Sequence, residues 1–216
     1  MTRDASATGI SRRFLALIED EGLAGKRILD VGCGWGRLSL TLAPAARWVV
    51  GLDREPGAIA EARQRASQAG LGNVEFHAAD VDREEYDRFA PDLVVSHLFA
   101  SDAMVERAAR ALAPGACLAL VAFHVDQWRE TGKVSRFAYD EARMERLLAR
   151  AGFKSEVIEV DQDERRFAAV GEGLAAAVGL EDRWKADGRW HRYLAFLEAG
   201  GRTLTRSHLI VKARKS

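Results

Sequence analysis

The chain has 216 residues, a length that fits one domain whose single core buries most of its apolar surface. Its 32 Lys and Arg side chains balance its 32 Asp and Glu side chains, so it lacks the positive charge typical of nucleic-acid binders. No apolar run is long enough to cross a bilayer, and polar residues 1–9 do not resemble a secretory signal. We therefore expect a cytoplasmic protein with no membrane-spanning segment, and the charge balance disfavours a nucleic-acid partner.

The cysteines give no indication of a metal centre or a disulfide. Cys33 and Cys117 are far apart in the sequence, and they form neither a CxxC pair nor a ligand cluster with the five histidines. We expect no metal site, and the pattern indicates nothing about the oligomeric state.

The first element in chain order is an amphipathic helix over roughly residues 11–21, with Phe14, Leu15 and Ile18 on one face. It is expected either to pack on a sheet or to cap a site. Short apolar runs then alternate with stretches of helical periodicity. The strands are predicted at Ile28–Val31, Trp48–Leu52, Val74–Ala78, Leu93–Ser96 and Ala116–Phe123. The helices are predicted at Gly36–Leu42, Pro56–Ala69, Ala103–Leu112 and Asp140–Ala151. This alternation is typical of an α/β fold with a mostly parallel sheet.

The pattern changes after Gly152. Glu156–Asp161 and His208–Ala213 are predicted to be two further strands, and the interval between them is helical and aromatic. Hairpin strands are normally joined by a few residues, so we interpret 164–206 as an insertion. One hypothesis is that it forms a lid over a substrate. The sequence thus predicts a single domain over 1–216, with a cap over 1–24 and this insertion before the last strand.

The stretch from Ile28 to Gly36 runs from a predicted strand through a glycine-rich turn into a helix. Glycines at alternate positions allow a sharp bend and a close approach to a ligand. A tight turn without a ligand and a dinucleotide site are the alternatives. The dinucleotide fingerprint places its third glycine where this chain has Arg37. A dinucleotide site also does not require an acid at the position of Asp30, because a carboxylate there would repel the diphosphate. The same carboxylate would attract a cationic ligand.

Two further acids follow predicted strands. Asp53 lies about twenty residues after the glycine turn, the spacing at which a carboxylate holds ribose hydroxyls, although it could instead cap the helix that begins at Pro56. Asp80 follows the third strand, where it could accept a hydrogen bond from an adenine amino group. Because the carboxyl ends of parallel strands lie at one edge of a sheet, these acids and the glycine turn predict a single crevice.

In these motifs, and in Leu112-Ala113-Pro114-Gly115 before the fifth strand, the sequence resembles the small class I S-adenosylmethionine-dependent methyltransferases. The resemblance covers about residues 26–123. It implies a Rossmann-like, seven-stranded, mostly parallel sheet with helices on both faces and a reversed final hairpin. It implies S-adenosylmethionine as cofactor and S-adenosylhomocysteine as product, with Gly32 and Gly34 at the methionine moiety, Asp53 at the ribose, and Asp80 with Val81 at the adenine. The expected cofactor-binding set is Asp30, Gly32, Cys33, Gly34, Asp53, Arg54, Asp80, Val81 and Ser96.

The acceptor is less well defined. Methyltransferases that act on the amino groups of adenine or glutamine have an Asn/Asp-Pro-Pro-aromatic motif after the fourth strand. The segment from Asp92 to Phe99 lacks this motif, so it does not resemble that class. His97 and His124 follow strand ends and are candidate general bases, unless neighbouring carbonyls satisfy them. Aromatic residues after the fifth strand and in the insertion either line the acceptor pocket or belong to the core. The favoured interpretation is a methyltransferase that acts on a small molecule. The alternatives are a methyltransferase that acts on protein or RNA, and a non-catalytic protein that binds S-adenosylmethionine.

Overall fold

The computed structural model describes residues 9–216, so the expectation about the polar segment before Gly9 lies outside the described residues. Eight strands form one sheet in the order β3-β2-β1-β4-β5-β8-β7, and the short β6 pairs with β5. The strands are β1 (Arg27–Val31), β2 (Trp48–Asp53), β3 (Val74–Ala78), β4 (Leu93–His97), β5 (Cys117–His124), β6 (Ala138–Tyr139), β7 (Phe153–Arg166) and β8 (Thr203–Lys215).

Strands β1 to β5 are parallel. The strands β1, β2, β4 and β5 are rich in Val, Leu and Ile because both of their faces are buried, whereas only Phe76 is buried in the edge strand β3. Leu29, at the middle of β1, pairs with Val50 of β2 and Val94 of β4. The chain progresses from β1 to β2 and β3 on one side, whereas β4 and β5 lie on the other. The strand order therefore reverses between β1 and β4, and open α/β sheets bind ligands at the carboxyl end of such a reversal.

Eight α-helices connect the strands in the described residues. They are α1 (Arg12–Glu19), α2 (Arg37–Leu42), α3 (Pro56–Gln68), α4 (Asp102–Ala111), α5 (Glu141–Ala151), α6 (Val170–Ala177), α7 (Glu181–Asp187) and α8 (Arg189–Glu198). Local sequence explains several boundaries. Pro56 occupies the first turn of α3, and the Ser101 hydroxyl caps α4 by accepting a hydrogen bond of 3.0 Å from the Met104 amide.

The predicted α/β fold class is confirmed, including the reversed final strand pair. The Ser216 amide donates to the Gly152 carbonyl (3.0 Å), and the Lys215 amide donates to the Ala116 carbonyl (2.8 Å). These bonds place the end of β8 beside the starts of β7 and β5. The structure adds β6, and it makes β7 and β8 longer than the predicted strands. Beyond Val160 the residues of β7 are polar and largely exposed, so the sequence shows no apolar alternation there.

The described chain forms two compact units. The first comprises the residues up to Ala122, together with Glu141–Glu159 and Ile210–Ser216, and the second comprises Phe123–Asp140 and Val160–Leu209. Buried aliphatic and aromatic side chains of α1, β1, α2 and β4 form the core of the first unit. Trp184, Tyr193 and Leu197 lie in the core of the second. The single-domain organisation and the lid hypothesis stay predictions.

None of the helices within residues 9–216 is long and apolar enough to cross a membrane. The same residues contain no cluster of His, Cys, Asp and Glu side chains that could hold a metal ion. The cytoplasmic location stays a prediction.

Candidate cofactor site

The glycine turn directly follows β1 and is held against the end of β2. The amides of Gly32 and Cys33 both donate to the Leu52 carbonyl, at 2.8 and 2.9 Å. Gly34 has a φ of 53°, and no atom lies within 4 Å of the position that a Cβ would occupy. At Gly32 the corresponding Cβ would lie 2.9 Å from the Phe99 side chain. The turn therefore opens onto free space at Gly34, whereas the Phe99 ring covers it at Gly32.

Asp53, the last residue of β2, is fixed by two backbone donors. Its Oδ2 accepts from the Gly34 amide at 2.8 Å and its Oδ1 from the Glu55 amide at 3.0 Å. Each carboxylate oxygen has a second lone pair, so both can accept a further hydrogen bond. The next side chain, Arg54, is largely exposed and pairs with Glu55 at 3.3 Å. The glycine turn and the predicted ribose acid are thus in direct contact.

Asp30 is buried, with 1% of its surface exposed. Its Oδ2 accepts a hydrogen bond of 2.6 Å from the Ser39 hydroxyl, whereas its buried Oδ1 has no hydrogen-bond partner in the described part of the chain. Burial raises the pKa of this carboxyl to about 7, although the Ser39 hydrogen bond opposes the shift. An unpartnered carboxylate oxygen beneath a glycine turn fits a ligand that carries positive charge.

The third acid, Asp80, follows β3, whose Ala78 pairs with Asp53 of β2. Its carboxylate is 53% exposed, and it accepts a hydrogen bond of 3.1 Å from the Asp82 amide and lies 3.3 Å from Arg83 Nε. Val81 is buried, and its carbonyl accepts from the Tyr86 hydroxyl at 2.7 Å. Burial, and next the nearby charge of Asp82, raise the pKa of Tyr86 beyond its ordinary range. The turn after β3 is therefore ordered by its own contacts and leaves the Asp80 carboxylate partly accessible.

The family described as a methyltransferase domain matches residues 23–169. The chain belongs to the class I S-adenosylmethionine-dependent methyltransferases. Its cofactor is S-adenosylmethionine. The glycine turn, the fixed Asp53 and the unpartnered Asp30 oxygen are consistent with such a ligand, which has a ribose and a cationic amino-acid end.

Among solved structures, the methyltransferase is similar to the YcgJ protein of Bacillus subtilis, with 15% identity, a TM-score of 0.72, and coverage of 95% of this chain and 99% of that chain. It is also similar to the magnesium protoporphyrin IX methyltransferase of Synechocystis PCC 6803 with bound S-adenosylhomocysteine. The identity there is 20%, the TM-score is 0.63, and the match covers 94% of this chain and 80% of that one.

Among curated proteins, the methyltransferase is similar to the 23S rRNA (uracil(1939)-C(5))-methyltransferase RlmD of Xanthomonas euvesicatoria pv. vesicatoria. The two are 43% identical over 65 residues, which is 30% of this chain and 14% of that protein. The chain thus spans about one-seventh of the length of this relative.

The loop after β4 is anchored to the end of β1. The buried Ser96 hydroxyl lies 2.7 Å from the Val31 carbonyl and 2.9 Å from the Phe99 carbonyl. Because Phe99 covers Gly32, Ser96 supports the wall of the site through Phe99. Cys33 is buried as well, and burial raises the pKa of its thiol far above the ordinary value. Burial therefore favours the protonated thiol over the thiolate, which is the nucleophilic form.

The two candidate bases both use their Nδ1 atoms as acceptors. His97, at the end of β4, has Nδ1 3.3 Å from Arg37 Nη2, and an arginine can only donate. His124, in the second unit, has Nδ1 3.3 Å from the Asp126 amide and 2.9 Å from the Ser207 hydroxyl. In the neutral form each imidazole therefore carries its hydrogen on Nε2.

The aromatic candidates for the acceptor pocket are largely core residues. Trp184 and Tyr193 are fully buried and contact each other edge to face, with ring centroids 5.4 Å apart. Trp184 packs in the same manner on Trp128, at 5.3 Å. Tyr139 of β6 is also buried. These side chains hold the second unit together.

Sequence reasoning missed Ser39, Phe99 and the contact between Arg37 and His97. Ser39 gave one signal, since it is a polar residue on the buried face of α2, next to Leu38 and near Leu42. Phe99 and the Arg37 contact gave none. The position of Phe99 and the contact between Arg37 and His97 depend on how the turns after β1 and β4 meet. Arg37 and His97 are 60 positions apart in the sequence.

Proposed function

We propose that this methyltransferase transfers the methyl group of S-adenosylmethionine to a small molecule in the cytoplasm. The observation that carries the proposal is the charge balance, 32 basic against 32 acidic side chains, because RNA and DNA binders gain affinity from excess positive charge. Supporting it, the Synechocystis neighbour is named for a small-molecule substrate, magnesium protoporphyrin IX. The matched RNA methyltransferase shares only 14% of its length with this chain.

When bound, the cofactor would supply a methyl group on a sulfonium: an acceptor lone pair would form a bond to the methyl carbon while the carbon–sulfur bond breaks, and S-adenosylhomocysteine would leave as a neutral thioether. The chain's own residues are proposed to bind and orient this cofactor. We assign the ribose hydroxyls to Asp53, whose carboxylate two amides already hold in place. The adenine is assigned to Asp80 and Val81, and the methionine moiety to Gly32, Gly34 and Asp30. The proposed set also includes Cys33 and Arg54, which flank the turns, and Ser96, which acts through Phe99.

His97 and His124 are proposed as alternative candidates for the side chain that serves the acceptor. Each Nδ1 accepts a hydrogen bond, so each neutral ring carries its hydrogen on Nε2. A general-base role would require the Nδ1 contact to break. Replacement of either histidine by glutamine keeps a donor, so we expect kcat to fall less than about 100-fold, with the acid limb of the pH profile retained. Loss of that limb in one variant would instead identify that histidine as the base.

A labelled-methyl assay tests the acceptor class. Purified protein and methyl-labelled S-adenosylmethionine are incubated separately with a deproteinised metabolite extract, total RNA and total protein. We expect label in the metabolite fraction, with a loss of at least about tenfold in Asp53→Ala. The exposed Asp163→Ala serves as the matched control. Label confined to RNA would overturn the small-molecule proposal and favour the alternative raised by the 23S rRNA relative.

A further inference from the structure

Arg107 of α4 holds the turn that follows β3, residues 80–85. Its Nε donates a hydrogen bond of 2.7 Å to the Asp82 carbonyl, and its Nη1 donates one of 2.9 Å to the Glu84 carbonyl. Nη1 also lies 2.9 Å from a carboxylate oxygen of Glu85. The Arg107 side chain is 17% exposed, so most of it is packed against the protein. One guanidinium therefore binds three residues that precede it by 22 to 25 positions in the sequence.

The start of α4 makes a second connection to the same turn. The Ser101 hydroxyl donates a hydrogen bond to Asp82 Oδ1, and its oxygen accepts one of 3.0 Å from the Met104 amide. The residue that caps α4 thus also binds the turn after β3. Because α4 is held at both Ser101 and Arg107, the turn takes its position from the helix.

Asp80 begins this turn, and its carboxylate is oriented by the residues that α4 holds. Its Oδ1 accepts a hydrogen bond of 3.1 Å from the Asp82 amide. Its carbonyl accepts from the amides of Arg83 and Glu84, both at 2.9 Å. The amide of Asp82 therefore orients the Asp80 carboxylate while the carbonyl of Asp82 binds Arg107. A change at Arg107 reaches Asp80 through this one residue.

The contacts of Arg107 differ from those of an ordinary surface ion pair. The Glu85 carboxylate is 67% exposed, and an ion pair in that environment contributes little to stability. The two backbone carbonyls instead accept from the rigid fork of a guanidinium, which fixes the path of the chain. We therefore expect Arg107 to determine the geometry of the turn more than the stability of the whole protein.

We propose that Arg107 is a positioning residue for the selectivity of the site toward adenine. By holding the turn after β3, it keeps the Asp80 carboxylate where it accepts a hydrogen bond from the adenine amino group. The inference rests on the assignment of the adenine to Asp80 in the proposed function. A purine with a carbonyl oxygen in place of the amino group should bind poorly, because two hydrogen-bond acceptors would then face each other.

The test compares two ligands that differ at this purine position. Dissociation constants for S-adenosylhomocysteine and S-inosylhomocysteine are measured by calorimetry on wild type, Arg107→Gln, Arg107→Lys and the control Arg110→Gln, at an exposed position of the same helix. We expect wild type to prefer the adenosyl ligand by about 10- to 100-fold. Arg107→Gln should reduce this preference at least about fivefold, and Arg107→Lys should reduce it less because one donor group remains. Arg110→Gln should match wild type.

A double-mutant cycle tests whether Arg107 acts through Asp80. The same two ligands are titrated into Asp80→Ala and into the variant that combines Asp80→Ala with Arg107→Gln. If the effect passes through the Asp80 carboxylate, the double variant should show no smaller preference than Asp80→Ala alone. Hydrogen exchange of the free protein gives a readout without any ligand. The amides of residues 82–85 should exchange faster in Arg107→Gln, with β1 and β4 unchanged.

A preference that Arg107→Gln leaves unchanged, with both ligands weakened equally, would assign Arg107 to stability alone and overturn the inference. Losses of preference that add in the double variant, or unchanged exchange of residues 82–85, would also overturn it. If the wild type bound both ligands equally, the assignment of the adenine to Asp80 would fail together with the inference. That result is distinct from the others because it needs no substitution.

Discussion

The Ser39 hydroxyl donates a hydrogen bond of 2.6 Å to Oδ2 of Asp30, joining the buried face of α2 to the end of β1. Both side chains are buried, and the second carboxylate oxygen of Asp30 has no partner among the described residues. The pair therefore keeps a carboxylate in an environment that disfavours its charge, directly beneath the glycine turn. An arrangement that costs stability in the free protein is expected where a cationic ligand repays it.

The Asp30 carboxyl should make stability fall as the pH rises. Burial raises its pKa from 3.8 to about 7 in the folded chain, so the folded state holds the proton more tightly than the unfolded state does. The destabilisation is absent below about pH 4, grows toward pH 7 and is then complete. Asp30→Asn should accordingly raise the melting temperature at pH 8, by about 2–4 °C for each kcal/mol recovered, and change little at pH 4.

Differential scanning calorimetry of the free protein at the two pH values measures this effect. Asp163→Asn, at an exposed position of β7, is the matched control and should show no such pH-dependent gain. A melting temperature of Asp30→Asn that is lowered equally at both pH values would show that the carboxylate is not strained by burial.

The Glu21 carboxylate makes folding stability depend on pH in the opposite direction from Asp30. Its carboxylate accepts hydrogen bonds from Arg214 at 2.7 and 2.8 Å and lies 2.7 Å from Lys212 Nζ. Hydrogen bonds from Arg214, and then from Lys212, lower its pKa to about 2 against the effect of burial. The stabilisation is therefore present above about pH 4.5 and is lost as the pH falls toward 2.

Glu21→Gln leaves the buried Lys212 without its nearest carboxylate, so we expect a loss of about 3 kcal/mol in the free energy of unfolding at pH 7 and a smaller loss at pH 3. Urea unfolding at both pH values provides the comparison. Glu19→Gln, at an exposed position of α1, controls for the removed charge. Equal losses at the two pH values would argue against the ion network as the source of the stability.

Gly51 of β2 allows the aromatic packing behind the glycine turn. A Cβ at this position would lie 2.5 Å from the Phe76 ring and 2.9 Å from Cys33 Sγ. Gly51→Ala should reduce the free energy of unfolding by about 1–3 kcal/mol. Gly57→Ala in α3, where no atom lies within 4 Å of the added methyl, should leave stability unchanged or slightly higher. Chemical denaturation of both variants tests the contrast, and equal stabilities would contradict the packing account.

Much of this architecture is predictable from the sequence because it depends on local patterns. Five parallel strands match their predicted bounds to within one residue at each end, since four are short apolar runs and β3 alternates apolar with polar residues. The three acids are recognisable because strand ends bring them to one edge. The two-residue β6 and the polar half of β7 have no such pattern. The Ser39 hydrogen bond to Asp30 depends on the exact placement of α2 on the sheet, which periodicity does not specify.

The central claim is that the crevice formed by the glycine turn, Asp30 and Asp53 binds S-adenosylmethionine and its product. Calorimetric titration of S-adenosylhomocysteine and of NAD into wild type and Asp53→Ala tests it most directly. We expect the wild type to bind S-adenosylhomocysteine and not NAD. Asp53→Ala should weaken that binding about 10- to 100-fold through loss of charge-assisted hydrogen bonds, while its thermal unfolding shows a folded chain. Preference for NAD, or an affinity for S-adenosylhomocysteine that Asp53→Ala leaves unchanged, would contradict the account.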